Sequence, residues 1–111
     1  MAKSKSKIDG GFVVLPKRTL KCNEWRELTH GGKVVYLAIL TEFVRDKRLN
    51  PELKVDITQK QIRQRTGQSR QTVVDGIKSL KKQGFIDVDP LEQGGLEQNY
   101  TTYTLTGKFL W

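Results

Sequence analysis

Cysteine, histidine and long apolar runs are nearly missing from this sequence. It contains one cysteine and one histidine, Cys22 and His30. A single cysteine excludes a disulfide framework and a cysteine-based metal site, and the lone histidine has no partner for binding a metal. The longest apolar run, residues 34–40, has seven residues, whereas a membrane span needs about 20. We therefore expect a soluble cytoplasmic protein with no metal site and no membrane partner.

The motifs of common enzyme and cofactor sites are also missing. The sequence has no P-loop, no glycine-rich dinucleotide fingerprint and no nucleophile with an adjacent general base. We therefore predict that the protein is not an enzyme and needs no cofactor.

Positive charge is what the sequence has in excess. Its 111 residues include 20 Lys and Arg against 12 Asp and Glu, a formal net charge of +8. Residues 1–21 carry +5 and residues 54–83 carry +6, whereas residues 84–111 carry −3. The length suits a single domain. Positive charge concentrated in two segments is typical of a protein that binds a polyanion. Nucleic acid is the first candidate for this partner and an anionic membrane surface is the second.

The N-terminal half contains three kinds of segment. Residues 1–11 alternate lysine and serine and end in two glycines, which predicts a disordered basic arm before one domain over residues 12–111. Residues 12–15 are apolar and end at Pro16, which predicts a strand at a sheet edge. Residues 18–28 suit a short helix. Apolar residues cover most of the helical wheel over residues 30–47, which predicts a buried helix.

The strongest local signals begin at Thr58. Thr58 and Gln61 have the spacing of a capping box, in which each side chain accepts a hydrogen bond from the backbone of the other. The helix that follows should cover residues 59–66. Gly67 then supplies the backbone freedom that a sharp turn needs.

A second helix should begin after Ser69, which is a favourable N-cap residue. Its apolar residues recur at i, i+4 and i+7 and define a buried face: Val73, Ile77 and Leu80. Gly84 should end this helix, with Phe85 packing back on Leu80. The two helices form a helix-turn-helix over about residues 58–83, and alternating apolar residues predict a β-hairpin wing over about residues 85–106.

Residues 58–73, TQKQIRQRTGQSRQTV, resemble the pattern T-x-x-x-I-x-x-x-T-G-x-S-R-x-T-V of bacterial and phage winged-helix regulators. Upstream residues 12–16, 24–28 and 35–37 are also similar to the DNA-binding domains of phage and plasmid replication-initiation proteins. The resemblance implies an α+β winged helix-turn-helix fold, with three or four helices and a small antiparallel sheet. It also implies binding of double-stranded DNA in transcription regulation or replication initiation.

The second helix of such a motif places its N-terminal side chains against base edges in the major groove. We predict the following base-contacting residues: Ser69, Arg70, Gln71, Thr72 and Asp75. Arginine pairs with guanine, glutamine with adenine, and a carboxylate accepts from the cytosine amino group. Asp75 also has a second interpretation, in which it pairs with Lys78 or Gln71 on its own helix. The predicted phosphate-contacting residues are Lys60, Arg63, Arg65, Lys78 and Lys82.

Several alternatives stay open at this point. The wing, residues 85–107, contains four acidic residues and no Lys or Arg, so it suits a protein partner better than DNA. The basic helices would then form a protein-interaction module or bind structured RNA. A homodimer, a replication or transcription protein as partner, and a DNA contact of the basic arm are further possibilities. The target DNA sequence does not follow from these residues.

Overall fold

A computed structural model describes residues 13–46, 48–88 and 100–110 of the chain. The predicted basic arm, Phe12, Lys47, the loop between the wing strands and Trp111 lie outside the described residues. The described part contains five α-helices: α1 (Lys17–Lys21), α2 (Asn23–Glu27), α3 (His30–Leu40), α4 (Gln59–Thr66) and α5 (Arg70–Lys82). Its strands are β1 (Lys54–Thr58), β2 (Ile86–Val88) and β3 (Tyr100–Leu105), followed by a 3₁₀ turn at Gly107–Phe109.

The three strands form one antiparallel sheet in the order β1-β3-β2. Tyr103 in the central strand lies opposite Val55 on one side and Val88 on the other. These residues are buried together with Ile57 and Leu105, because alternate side chains of a strand point to the same face. The predicted α+β class and the antiparallel pairing of the wing strands are confirmed.

Helices α3 and α5 supply the other side of the core. In α3 the buried apolar residues are Val35, Tyr36, Ala38, Ile39 and Leu40, and in α5 they are Val73, Ile77 and Leu80. Phe85 completes this core: its ring stacks on Phe109 at a centroid distance of 4.0 Å and meets Tyr36 edge-on at 5.2 Å. The predicted inner face of α5 is therefore confirmed.

The predicted strand at residues 12–15 is wrong in its described part, because Val13 to Leu15 belong to no strand. Pro16 adopts extended backbone and α1 begins directly after it. Val13 and Val14 instead line a small cavity with Leu40 and Phe43, at the end of α3. The edge strands of the sheet are β1 and β2, and we did not predict β1 although Val55 and Ile57 alternate with polar residues.

Two helix predictions in the N-terminal half also need correction. The single helix at residues 18–28 is divided into α1 and α2, because Cys22 between them has extended backbone angles. This division raises the helix number above the three or four expected. The helix predicted to reach residue 47 ends at Leu40. The backbone N–H groups of Thr41 and Glu42 donate to carbonyls three residues back, which tightens the last turn. Phe43, which we assigned to this helix, packs on the core after the helix has ended.

Candidate nucleic-acid interface

The capping box at the start of α4 has the predicted geometry. The Gln61 backbone N–H donates to Thr58 Oγ1 at 3.0 Å, and the Thr58 N–H donates to Gln61 Oε1 at 3.0 Å. Gly67 ends the helix in the left-handed region, with a φ of 72°. Because glycine has no Cβ, it adopts this conformation at little cost. The turn therefore directs the chain from α4 into α5 as expected.

Helix α5 is defined at both ends by residues that the sequence indicated. Ser69 accepts a hydrogen bond from the Thr72 N–H at its N-terminus. At its C-terminus Gly84 has a φ of 80°, and the Phe85 N–H donates to the Leu80 carbonyl at 3.0 Å. The Gly84 N–H donates to the Lys81 carbonyl at 3.1 Å, which completes a Schellman motif.

The outward face of α5 is polar along its length. The exposed residues on this face are Gln71, Asp75, Lys78 and Lys82, and Arg70 is exposed at the first position of the helix. They lie opposite Val73, Ile77 and Leu80, which are buried in the core. This division gives α5 one face for packing and one face that can enter a groove.

A close helix crossing holds α5 against α3. The Gly31 carbonyl lies so near Gly76 that a Cβ at Gly76 would meet it at 2.9 Å. Beside this point the Thr29 N–H donates to Ser79 Oγ at 3.2 Å. Sequence reasoning missed this contact, although the Gly31-Gly32 pair and a glycine inside α5 were available signals. The crossing fixes the angle at which α5 presents its outward face.

Two of the predicted base-contacting residues lie at the edge of that face. Ser69 Oγ is engaged as the N-cap and lies 2.9 Å from Thr72 Oγ1. Thr72 is half-buried on the side of α5 that faces Gly31. The structure therefore brings Arg70, Gln71 and Asp75 together on the exposed surface and directs Thr72 toward α3.

Gln71 and Asp75 form a direct pair on the exposed face. The Gln71 side-chain Nε2 donates to Asp75 Oδ1 at 2.9 Å. They are four residues apart, the separation at which side chains on a helix become neighbours. The structure therefore agrees with the second interpretation of Asp75, in which it pairs with Gln71 on its own helix.

The predicted phosphate-contacting residues fall into two groups. Lys60, Arg65, Lys78 and Lys82 are exposed, whereas Arg63 is half-buried. Arg65 is directed toward the end of α3, where Nη1 donates to Thr41 Oγ1 at 3.0 Å and Nη2 lies 3.4 Å from Glu42 Oε1. These contacts couple α4 to α3 and give Arg65 a partner within the protein.

Within the ranges that the structure describes, no group of three or more metal-ligating side chains occurs. No helix in those ranges is both long enough and apolar enough to cross a membrane. A cavity of about 280 Å³ lies between α1, α2 and the 3₁₀ turn, and Cys22, Glu24, Lys108 and Phe109 are among its lining residues. The 3.6 Å ion pair between Lys108 and Glu24 lies at this cavity.

Comparison with known proteins agrees with this architecture. Residues 48–95 match the model of the MarR family, a segment that begins before β1 and covers α4, α5 and the first wing strand. The match covers a little less than half of the 111 residues. No curated protein and no solved structure gave a significant match.

The capped pair α4–α5, the wing strands and the matched segment all lead to the same assignment. The chain is a winged helix-turn-helix protein, and its residues 48–95 are similar to the MarR family of DNA-binding regulators.

Proposed function

We propose that the protein binds double-stranded DNA by inserting the N-terminal half of α5 into the major groove, and that it acts in transcription regulation. The observation that carries this proposal is the exposed polar face of α5, with Arg70, Gln71 and Asp75 at its N-terminal end. A helix fits the major groove of B-DNA, where each base pair presents a distinct set of donors and acceptors. The match to the MarR family supports the regulatory role.

The distribution of charge also supports DNA binding through α4 and α5. Residues 54–83 have a net charge of +6, and the exposed residues Lys60, Lys78 and Lys82 lie on the two motif helices. Lysines at these positions neutralise phosphates on either side of a groove, which positions the protein without selecting a sequence. The wing segment has no Lys or Arg, so we expect the motif helices, rather than the wing, to contact phosphates.

The test is fluorescence anisotropy with a labelled duplex of random sequence over a series of salt concentrations. The logarithm of the binding constant should fall with the logarithm of the salt concentration, by about 0.9 for each phosphate neutralised. Lys78→Ala should weaken binding to all sequences and reduce this slope by about 1. Lys17→Ala, which removes the same charge from an exposed position on α1, is the matched control and should leave the slope nearly unchanged.

Base contacts need a selected site. With a duplex obtained by selection, Arg70→Ala should weaken specific binding by about 1–3 kcal/mol while binding to random DNA changes less. If the protein fails to bind duplex DNA even at low salt, the proposal is wrong, and the basic helices serve a protein or RNA partner. Preference for a structured RNA over the duplex in competition would also overturn it.

Replication initiation is the second candidate role, because residues 12–16, 24–28 and 35–37 resemble replication-initiation proteins. The two roles differ in what happens to the DNA after binding. Permanganate reactivity of thymines beside the selected site would indicate strand opening and favour replication initiation. A protected but closed duplex would favour transcription regulation.

Light scattering of the complex gives the number of protein copies, with two expected if the site is an inverted repeat.

A further inference from the structure

We propose that Asp75 is a positioning residue that orients the Gln71 side-chain amide, and that α5 therefore selects adenine at the base opposite Gln71. This inference rests on the proposed binding of α5 in the major groove. The observation behind it is the 2.9 Å hydrogen bond from Gln71 Nε2 to Asp75 Oδ1 on the exposed face of the helix.

The chemistry of the pair defines which end of the Gln71 amide is the nitrogen. An ionised carboxylate only accepts hydrogen bonds, whereas an amide has one donating end and one accepting end. The end of Gln71 next to Asp75 must therefore be the NH₂ group, because the carbonyl oxygen would oppose the carboxylate. Asp75 thus removes the alternative in which the two ends of the amide exchange places.

An oriented amide still has what adenine requires. The NH₂ group carries two hydrogens, and the bond to Asp75 uses one of them. Pairing with adenine uses the hydrogen on the same side of the amide as Oε1, so in this proposal the bond to Asp75 takes the hydrogen on the opposite side, which leaves an adjacent donor and acceptor. Adenine presents the matching pair in the major groove, N7 as acceptor and the N6 amino group as donor.

The same pair disfavours guanine at this position. Guanine presents two acceptors, N7 and O6, and so calls for two donors. Gln71 offers one remaining donor, and the Asp75 carboxylate adds negative charge close to the base edge. A carboxylate near two acceptors is repulsive, and repulsion of the wrong partner contributes to specificity as much as attraction of the right one.

Orientation before binding also has an entropic consequence. A free glutamine side chain on a helix surface loses rotamer freedom when it meets a base. Gln71 has already lost part of that freedom to its bond with Asp75. Removal of Asp75 should therefore reduce the preference for adenine, even though Asp75 itself need not touch the base.

The experiment is selection of binding sites from a randomised duplex library with the full chain, followed by measured affinities for the selected site and its single-base variants. The native protein should prefer adenine at one position by about 5- to 150-fold, the range of one good bidentate contact. Asp75→Ala should lower that ratio by at least about threefold, while its affinity for random DNA rises because a negative charge has been removed.

Two further variants separate hydrogen bonding from charge. Asp75→Asn keeps an acceptor without the charge and should retain an intermediate adenine preference. Glu27→Ala removes an exposed negative charge from α2 and should leave the preference unchanged. Circular dichroism melting of each variant checks that the helix-turn-helix remains folded at the binding temperature.

The outcomes distinguish this inference from the proposed function. Strong, salt-dependent binding with an adenine preference that survives Asp75→Ala would overturn the positioning role and leave DNA binding intact. Selection of cytosine at a position that becomes indifferent in Asp75→Ala would mean that Asp75 contacts a base directly, which also overturns it. Failure to bind any duplex would overturn both.

Discussion

The helix-turn-helix and the N-terminal helices of this protein are held in place by different kinds of contact. In the helix-turn-helix, bonds between residues close in sequence define the ends of α4 and α5, as in the reciprocal bonds of Thr58 and Gln61. Helices α1 and α2 have no side-chain cap, and α1 is instead held by a bond that reaches across the chain. Thr19 Oγ1 donates to the Phe109 carbonyl, 90 residues away, at 2.9 Å. The first region can therefore be inferred from short sequence patterns, whereas the second depends on the assembled fold.

The largest expected effect is at Phe85, where the two regions meet. Its ring packs on Trp25, Tyr36 and Phe109, with centroid distances of 4.0 to 6.0 Å. Phe85→Ala should lower the free energy of unfolding by about 3–5 kcal/mol, because it leaves a cavity in the aromatic cluster. Urea unfolding measures this loss, and Phe85→Leu, which keeps most of the apolar volume, is the control. If Phe85→Ala costs no more than Phe85→Leu, the cluster does not join the two regions.

A smaller loss is expected at the crossing of α3 and α5. Gly76→Ala places a methyl group 2.9 Å from the Gly31 carbonyl and from Val35 Cγ2, so the helices must move apart. We expect a loss of about 1–3 kcal/mol in the free energy of unfolding, the usual range for overpacking. The same variant should weaken specific DNA binding, since α5 would present its outward face at a changed angle.

Gly84→Ala is the comparison for this variant. Its added methyl group has nothing within 4 Å, but the φ of 80° is unfavourable for alanine. It should cost about 1–2 kcal/mol through backbone strain alone and leave the angle of α5 unchanged. Equal effects of the two variants on DNA affinity would contradict the role assigned to the crossing.

The smallest effect should come from a local contact. Thr58→Ala removes the hydroxyl oxygen that accepts from the Gln61 N–H in the capping box, and it should destabilise the protein by about 1 kcal/mol. Thr58→Ser keeps the hydroxyl and should restore most of the loss. Thermal melting of the three proteins gives the comparison. A loss as large as that of Phe85→Ala would mean that Thr58 has a tertiary role beyond capping α4.

Predictions from the sequence were correct where a feature depends on neighbouring residues and wrong where it depends on contacts between distant segments. Gly67, Ser69 and Gly84 marked the ends of helices correctly, because the conformations they favour depend on neighbouring residues. Leu40 as the end of α3 was not predictable in this way, since residues 43 and 44 continue the apolar pattern of the helix. Phe43 instead packs on the core after the chain has turned, and Arg65 holds that turn from a different helix.

The candidate site was inferred in part. The helical repeat separated the outward residues Gln71, Asp75, Lys78 and Lys82 from the buried face, and their exposure agrees. The repeat did not indicate that Arg65 would contact Thr41 and Glu42 or that Thr72 would face α3. Both depend on where α3 passes, and no local pattern near residues 65–72 contains that information.

By itself, the sequence determined the positive charge, the two capped helices with their glycine stops, and the polar face of α5. Each of these depends on residue type and short-range spacing, where hydrogen bonds and helical periodicity act within a few residues. Only the tertiary structure decided the extent of α3, the presence of β1 in the sheet and the close passage of Gly31 over Gly76. These features arise from packing between distant segments, which becomes defined only when the whole core has formed.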